Sequence, residues 1–242
     1  MNSRSRIRTA TSRRPFVLMN AAITADGKIA TANRAISSFS SARDREHMLE
    51  LRATVDAVMS GARTVDSGPV NLGPGPARFR RIRLKNGLAE HNLRVIVSGG
   101  GSVDPGSEIF KHRFSPILIL TTRRASKAAR QRLQTVADAV RVCGRHEIDF
   151  HAALRWLRGE WGVKRLLCEG GGEVNDALFR AGLVDELHLT VCPKIFGGQE
   201  APTLADGTGF RRLADSPNLQ IQSFRRIGNE VFAIFQRRRT GE

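Results

Sequence analysis

The chain of 242 residues has no tyrosine, three cysteines and, among 39 basic residues, only six lysines. Each shortage removes a class of function. Surfaces that grip single-stranded nucleic acid interleave aromatic with basic side chains, and no basic patch here is interleaved in that way. The formal charge of +16 rests on 33 arginines dispersed from end to end, an arrangement that suits small anionic ligands; no nucleic-acid partner is expected. Cys143, Cys168 and Cys192 lie far apart and lack C-x-x-C spacing, so neither a disulfide frame nor a zinc site is expected. They fit reduced core thiols of a cytoplasmic protein. No run approaches the roughly 20 apolar residues of a membrane span, and no internal repeat is visible.

Residues 1–14 are rich in Arg, Ser and Thr without an apolar stretch, the composition of a basic, disordered tail and not of a secretory signal. Residues 15–242 have the length of one large domain and contain no linker. Strand signals at 16–24, 56–60, 94–98, 116–122, 139–143, 165–169 and 186–193 alternate with helix signals at 42–53, 126–136 and 150–161, the second capped by Ser126. Strands 219–225 and 230–236 flank Ile227-Gly228-Asn229 as a hairpin. The pattern predicts an α/β fold, a mostly parallel sheet flanked by helices and closed by a C-terminal antiparallel hairpin.

The most informative stretch runs from Leu166 to Phe179, where a strand enters Gly170-Gly171-Gly172 and passes directly into an amphipathic helix. Glycines let the backbone approach an anion closely, and the unpaired N–H groups of a helix start point at it. Glu169 works against an anion in that turn and is assigned to a different ligand. Three other strands end in small polar residues: Ser60-Gly61-Ala62-Arg63-Thr64, Ser98-Gly99-Gly100-Gly101 and Thr121-Thr122-Arg123-Arg124. Ligands of parallel sheets gather at such carboxyl ends. Together these ends form a groove for an extended, phosphate-bearing molecule such as a dinucleotide.

Four separated motifs, in order, resemble the reductase domain of riboflavin-biosynthesis deaminase/reductases: Ala25-Asp26-Gly27-Lys28-Ile29-Ala30; Leu51-Arg52-Ala53 with Asp56-Ala57-Val58; Gly61 with Thr64; and Glu169-Gly170-Gly171 with Gly182-Leu183-Val184-Asp185-Glu186-Leu187. The resemblance covers about residues 15 to 237. It implies a dihydrofolate-reductase-like fold, NADPH as cofactor, a phosphorylated pyrimidine whose ribosyl group is reduced to ribityl, and a homodimer. It does not extend to the related zinc-dependent deaminase. Carried over one position at a time, it gives Lys28 and Glu169 as catalytic residues and Asp26, Ser37 and Arg52 as substrate ligands. Gly61, Arg63, Thr64, Ser98, Gly99, Thr121, Arg123 and Gly170 to Gly172 would line the cofactor groove, with Arg63, Arg123 and Arg124 reading the 2′-phosphate. One departure stands out. The family's Asp-Asp-Pro element is replaced by Thr64-Val65-Asp66-Ser67-Gly68-Pro69, so Asp66 becomes a displaced substitute, and Arg78, Arg80 or Arg81 the substitute for a later arginine.

Ordinary structural roles stand beside these. Lys28 suits an exposed hairpin, Arg52 a helix C-terminus, Ser37 a loop and Thr64 a helix cap. His47 has no second ligand at metal spacing and reads as an interfacial or surface residue. Two other functions share the pattern: a pterin reductase of the same fold, with Asp44 as its carboxylate, and a noncatalytic nucleotide or RNA binder.

Overall fold

The computed structural model describes residues 14–34 and 39–238. In chain order the elements are β1 (Phe16–Thr24), α1 (Ala42–Arg52), β2 (Ala57–Gly61), α2 (Ala62–Asp66), α3 (Ala77–Lys85), β3 (Leu93–Val97), α4 (Glu108–Lys111), β4 (Ile117–Thr121), α5 (Lys127–Gln134), β5 (Ala139–Val142), α6 (Phe150–Glu160), β6 (Arg165–Cys168), α7 (Gly172–Arg180), β7 (Glu186–Cys192), β8 (Leu219–Ile227) and β9 (Glu230–Arg237). Every strand and long helix expected from periodicity is present, with ends within two residues of the expected ones. Helices α2, α3 and α4 were not expected. Two are too short to show a period, and α3 hides its own, because Arg83 takes an inward position beside Phe79. Its guanidinium donates to the carbonyls of Arg52 (2.5 Å), Val55 (2.7 Å) and Ala89 (2.9 Å), and burial lowers its pKa.

The nine strands form one sheet in the order β5-β4-β3-β2-β6-β1-β7-β9-β8. Pairing is parallel from β5 through β7 and antiparallel for β7–β9 and β9–β8. Strands buried on both faces read as unbroken apolar runs, as Ile117-Leu118-Ile119-Leu120 does in β4. Alternate residues feed two cores. Met19, Met59, Leu118, Cys168 and Leu178 lie in one, and Leu18, Val58, Ile119, Leu167 and Leu51 in the other.

Strand order fixes where a ligand can sit. From β2 the chain moves outward through β3, β4 and β5, then returns to place β6 between β2 and β1. Helix α2, leaving β2, buries Ala62 and Val65 in one core, whereas α7, leaving β6, buries Val174 and Leu178 in the other. Adjacent parallel strands whose helices leave to opposite faces open a crevice at their carboxyl ends.

Candidate active site

The floor of that crevice is the glycine turn. Gly61 N–H donates to the Gly170 carbonyl (2.8 Å), as does the Ser60 hydroxyl (3.1 Å), and Glu169 N–H donates to Met59 O (2.9 Å). Gly170 adopts φ +86°, a left-handed value that favours glycine. A Cβ on Gly171 would meet Thr64 Oγ1 at 3.3 Å, and one on Gly172 would meet the Thr203 carbonyl oxygen at 2.7 Å. Helices α2 and α7 start side by side on Gly61 and Gly171, neither with a side-chain cap. Two helix starts without side-chain caps thus lie next to each other, an arrangement that suits an anion. Arg63 and Glu173 pair across the two first turns.

Beside this turn lies a buried ion pair. Arg52 at the end of α1 reaches Glu169 with Nε to Oε1 (2.6 Å) and Nη2 to Oε2 (2.6 Å), while Nη1 donates to the Gly73 carbonyl (2.6 Å). Both side chains are about one-tenth exposed. Each nitrogen of Arg52 thus donates one bond within the protein, and the side chain neutralises and orients Glu169. Asn20 follows in register on the neighbouring strand, one residue beyond the Met19–Cys168 pair. It is buried, and its amide oxygen has no partner among the described residues.

Lys28 reaches the same end of the sheet through a strap, residues 194–206. Its Nζ donates to Ala201 O (3.0 Å), and its backbone pairs with Thr203. Asp26 accepts from Thr24 Oγ1 (2.5 Å), Gly197 N (2.7 Å) and Phe196 N (3.2 Å), with the Thr24 hydroxyl the main cause of its lowered pKa. At the other end of the strap, Asp206 N–H donates to Gly172 O (3.0 Å) and Asn175 Nδ2 to Leu204 O (2.8 Å). The strap therefore ties the Lys28 turn to the glycine turn, with Asp26 as the clasp.

Other expected residues sit elsewhere. Asp66 is exposed and accepts from Ser107 Oγ (2.5 Å) and Asp104 N (3.2 Å). Arg78 and Arg80 lie on α3 paired with Glu46 and Glu90, and Arg81 is exposed. Ser98 Oγ accepts from Val103 N–H (3.1 Å), and the Thr121 hydroxyl donates to Gly99 O (3.2 Å). Those buried side chains shape the loops after β3 and β4, leaving backbone to face the groove. Asp44 is buried on α1 with Oδ1 lacking a partner among the described residues. Ser37 lies outside the described residues.

Of a second cluster of arginines in the groove, the sequence marked only Arg123. Arg123, Arg130 and Arg145 line a cleft of about 670 Å³ with Val142 and Gly144, at the carboxyl ends of β4 and β5. Arg63, expected among the arginines at this end, lies instead at the glycine turn. Arg130 and Arg145 are drawn in by two local features, α5 and the left-handed Gly144, neither of which signals a ligand in sequence. Asn20 did leave a trace: it is the one amide in the otherwise apolar Phe16–Ile23 run.

The chain is 34% identical over 222 residues to the 2,5-diamino-6-ribosylamino-4(3H)-pyrimidinone 5′-phosphate reductase of Methanothermobacter thermautotrophicus, covering 92% of this chain and 98% of that one. A protein of the same name from Archaeoglobus fulgidus is 33% identical over 93% of this chain and 98% of its own. Among solved structures, a pyrimidine reductase-like protein from Corynebacterium diphtheriae superposes with a TM-score of 0.74 at 24% identity, covering 93% of this chain and 92% of that one. The model of the RibD C-terminal domain matches residues 15–233, and the chain belongs to that family.

Proposed function

We propose that this chain is a reductase of riboflavin biosynthesis that uses NADPH to convert the ribosyl group of 2,5-diamino-6-ribosylamino-4(3H)-pyrimidinone 5′-phosphate to ribityl. The observation that carries the reading is the convergence at one crevice of two uncapped helix starts, a glycine turn and a buried, arginine-neutralised carboxylate. The turn suits a dinucleotide phosphate: left-handed Gly170 and the missing side chains at Gly171 and Gly172, whose Cβ positions are closed by Thr64 and the Thr203 carbonyl, leave bare backbone beside the two helix starts. Arg123, Arg130 and Arg145 supply a second anion site, which favours a 2′-phosphate and hence NADPH over NADH.

When bound, the cofactor supplies a hydride. That hydride would serve C1′ of the opened, imine form of the ribosylamine, whose nitrogen would need a proton to complete the amine. Protein groups align and neutralise these changes. Glu169, its charge balanced by Arg52, holds a sugar hydroxyl or passes the proton. Lys28 faces the sugar or its phosphate, and the free Asn20 oxygen accepts from a donor of the substrate. The strand pair β8–β9 at one sheet edge leaves Ile221 and Phe224 about two-thirds exposed, an apolar surface that suits a homodimer. Among the described residues no helix is long and apolar enough to cross a membrane.

The test is NADPH titration by fluorescence followed by addition of the diaminopyrimidine ribosyl phosphate or dihydrofolate. NADPH oxidation with the first alone is expected. Turnover of dihydrofolate alone would transfer the assignment to a pterin reductase using Asp44, and salt-sensitive RNA binding without NADPH affinity would remove both.

A further inference from the structure

Helix α1 delivers Arg52 to Glu169 but gives the sheet little apolar surface, since its buried residues are Asp44, Leu51 and Arg52. Polar contacts hold it instead. At its start, Glu230 of β9 accepts from Ser41 N (2.7 Å) and Ser41 Oγ (2.5 Å). Along its length, His47 Nε2 lies 3.1 Å from His188 Nδ1 of β7, with the rings 5.2 Å apart and Phe232 packed edge-on to His47. The outer nitrogens face carboxylates: His188 Nε2 is 2.7 Å from Glu186 Oε1, and His47 Nδ1 is 3.4 Å from Glu50 Oε2.

The acceptors dictate where the protons sit. An ionised carboxylate can only accept, so His188 carries hydrogen on Nε2, and neutral His188 presents a lone pair at Nδ1. His47 must then donate through Nε2. One additional proton goes to His47 Nδ1, facing Glu50, and leaves the ring-to-ring bond intact. A further one sets two N–H groups against each other at 3.1 Å and breaks it. Burial, then the neighbouring His188, holds the His47 pKa below its ordinary value, against Glu50 and Asp44. The remaining charged or titratable groups around the pair are Glu46 and Arg43 on α1, Glu186 and Cys192 on β7, Glu230 on β9 and Arg165 at the start of β6.

We propose that His47 and His188 are positioning residues of the reduction: their single shared hydrogen bond seats α1 on the sheet and thereby sets the Arg52–Glu169 pair in the crevice. This rests on the assignment of the crevice as the reductase site. Two routes connect the pair to it. Arg52 lies five residues beyond His47 on one rigid helix, about 7.5 Å along the axis. His188 pairs in register with Asn20, and the strand on the other side of Asn20, β6, ends at Cys168 immediately before Glu169.

The experiment compares wild type, His188→Leu and His188→Asn in the full chain, measuring kcat and KM from about pH 4.5 to 8, NADPH affinity and thermal unfolding. Nitrogen NMR of the imidazoles in the wild type accompanies it. Leu removes the acceptor, whereas the Asn side-chain oxygen can occupy the place of Nδ1. The wild-type kcat is expected to fall toward the acid end of that range, where a second added proton breaks the ring-to-ring bond. The His188→Leu variant should lose roughly tenfold in kcat without that acid limb and with NADPH affinity unchanged, the equivalent of about 1.4 kcal/mol. The His188→Asn variant should regain kcat and still lack the limb. A folded His188→Leu variant with the wild-type profile, or a folded His188→Asn variant without rescue, overturns the proposal. If His188→Leu does not fold, the NMR decides: His188 protonated at Nε2 and bare at Nδ1 at neutral pH supports it, and the reverse tautomer overturns it. A wild type that binds NADPH but never turns over the ribosyl phosphate overturns the assigned reaction and this role together, whereas turnover with an unaltered His188→Leu variant removes this role alone.

Discussion

Replacing Glu169 by Gln separates two roles that the geometry combines. In the native structure its carboxylate neutralises Arg52 through two bonds of 2.6 Å, in a place where each side chain is about one-tenth exposed. The amide leaves Arg52 charged, buried and supported mainly by the Gly73 carbonyl. Breaking a buried pair from one side costs about 3–5 kcal/mol. For a chain of this size each kcal/mol lowers Tm by about 2–4 °C, so the variant should melt roughly 6–20 °C lower. Positioned proton transfer contributes about 10²–10⁴-fold, and kcat/KM should fall by about two orders of magnitude while NADPH affinity, set by the glycine turn, stays put. A second variant, Arg52→Met with Glu169→Gln, removes the stranded charge and should recover most of the Tm. If the carboxylate only balanced Arg52, kcat/KM would recover with it; if it touches substrate, activity stays low. NADPH absorbance and thermal unfolding read the two quantities. An unchanged kcat/KM in the single variant, or full activity in the double one, refutes the role assigned to Glu169.

Alanine at Arg123, Arg130 and Arg145 together should erase the preference for NADPH over NADH, since each charge-assisted bond to a 2′-phosphate contributes about 1.5–3 kcal/mol; KM ratios for the two cofactors check it, and an intact preference places the phosphate elsewhere. Gly172→Ala drives a Cβ to 2.7 Å from the Thr203 carbonyl oxygen and should weaken NADPH binding at least about tenfold by displacing the strap. The control is Gly159→Ala in α6, where nothing lies within 4 Å and stability should rise by about 0.5–1 kcal/mol of helix preference, a Tm increase of about 1–4 °C. Glu186 has its pKa lowered chiefly by the His188 hydrogen bond, against burial. Its contribution to stability is therefore complete above the unfolded carboxyl value near 4.5 and is lost as pH falls through the lower folded value. Urea unfolding of Glu186→Gln should show a flatter decline below about pH 4.5, and parallel curves for the two proteins would count against it.

What could be read from the sequence was what is local. Gly170 to Gly172 announce their turn because strand, glycines and helix follow one another without a gap, and the parallel sheet follows from strand signals alternating with helical ones. Arg52 and Glu169 were both singled out, yet their pairing was not, because 117 residues separate them and only the insertion of β6 between β2 and β1 brings the strand end beneath α1. The departure after Thr64 was visible, but its consequence was not. Counting residues made Asp66 the substitute for a missing aspartate, whereas one turn of α2 rotates it toward Ser107. The altered segment instead folds back on itself, Asn71 Oδ1 accepting from Gly73 N–H at 2.9 Å, and places the Gly73 carbonyl on Arg52. A backbone oxygen thus occupies the third donor position of the arginine that balances Glu169. The residues that set this path, Asn71 and Gly73, act through the backbone, so a search for a replacement acid or base passes over them.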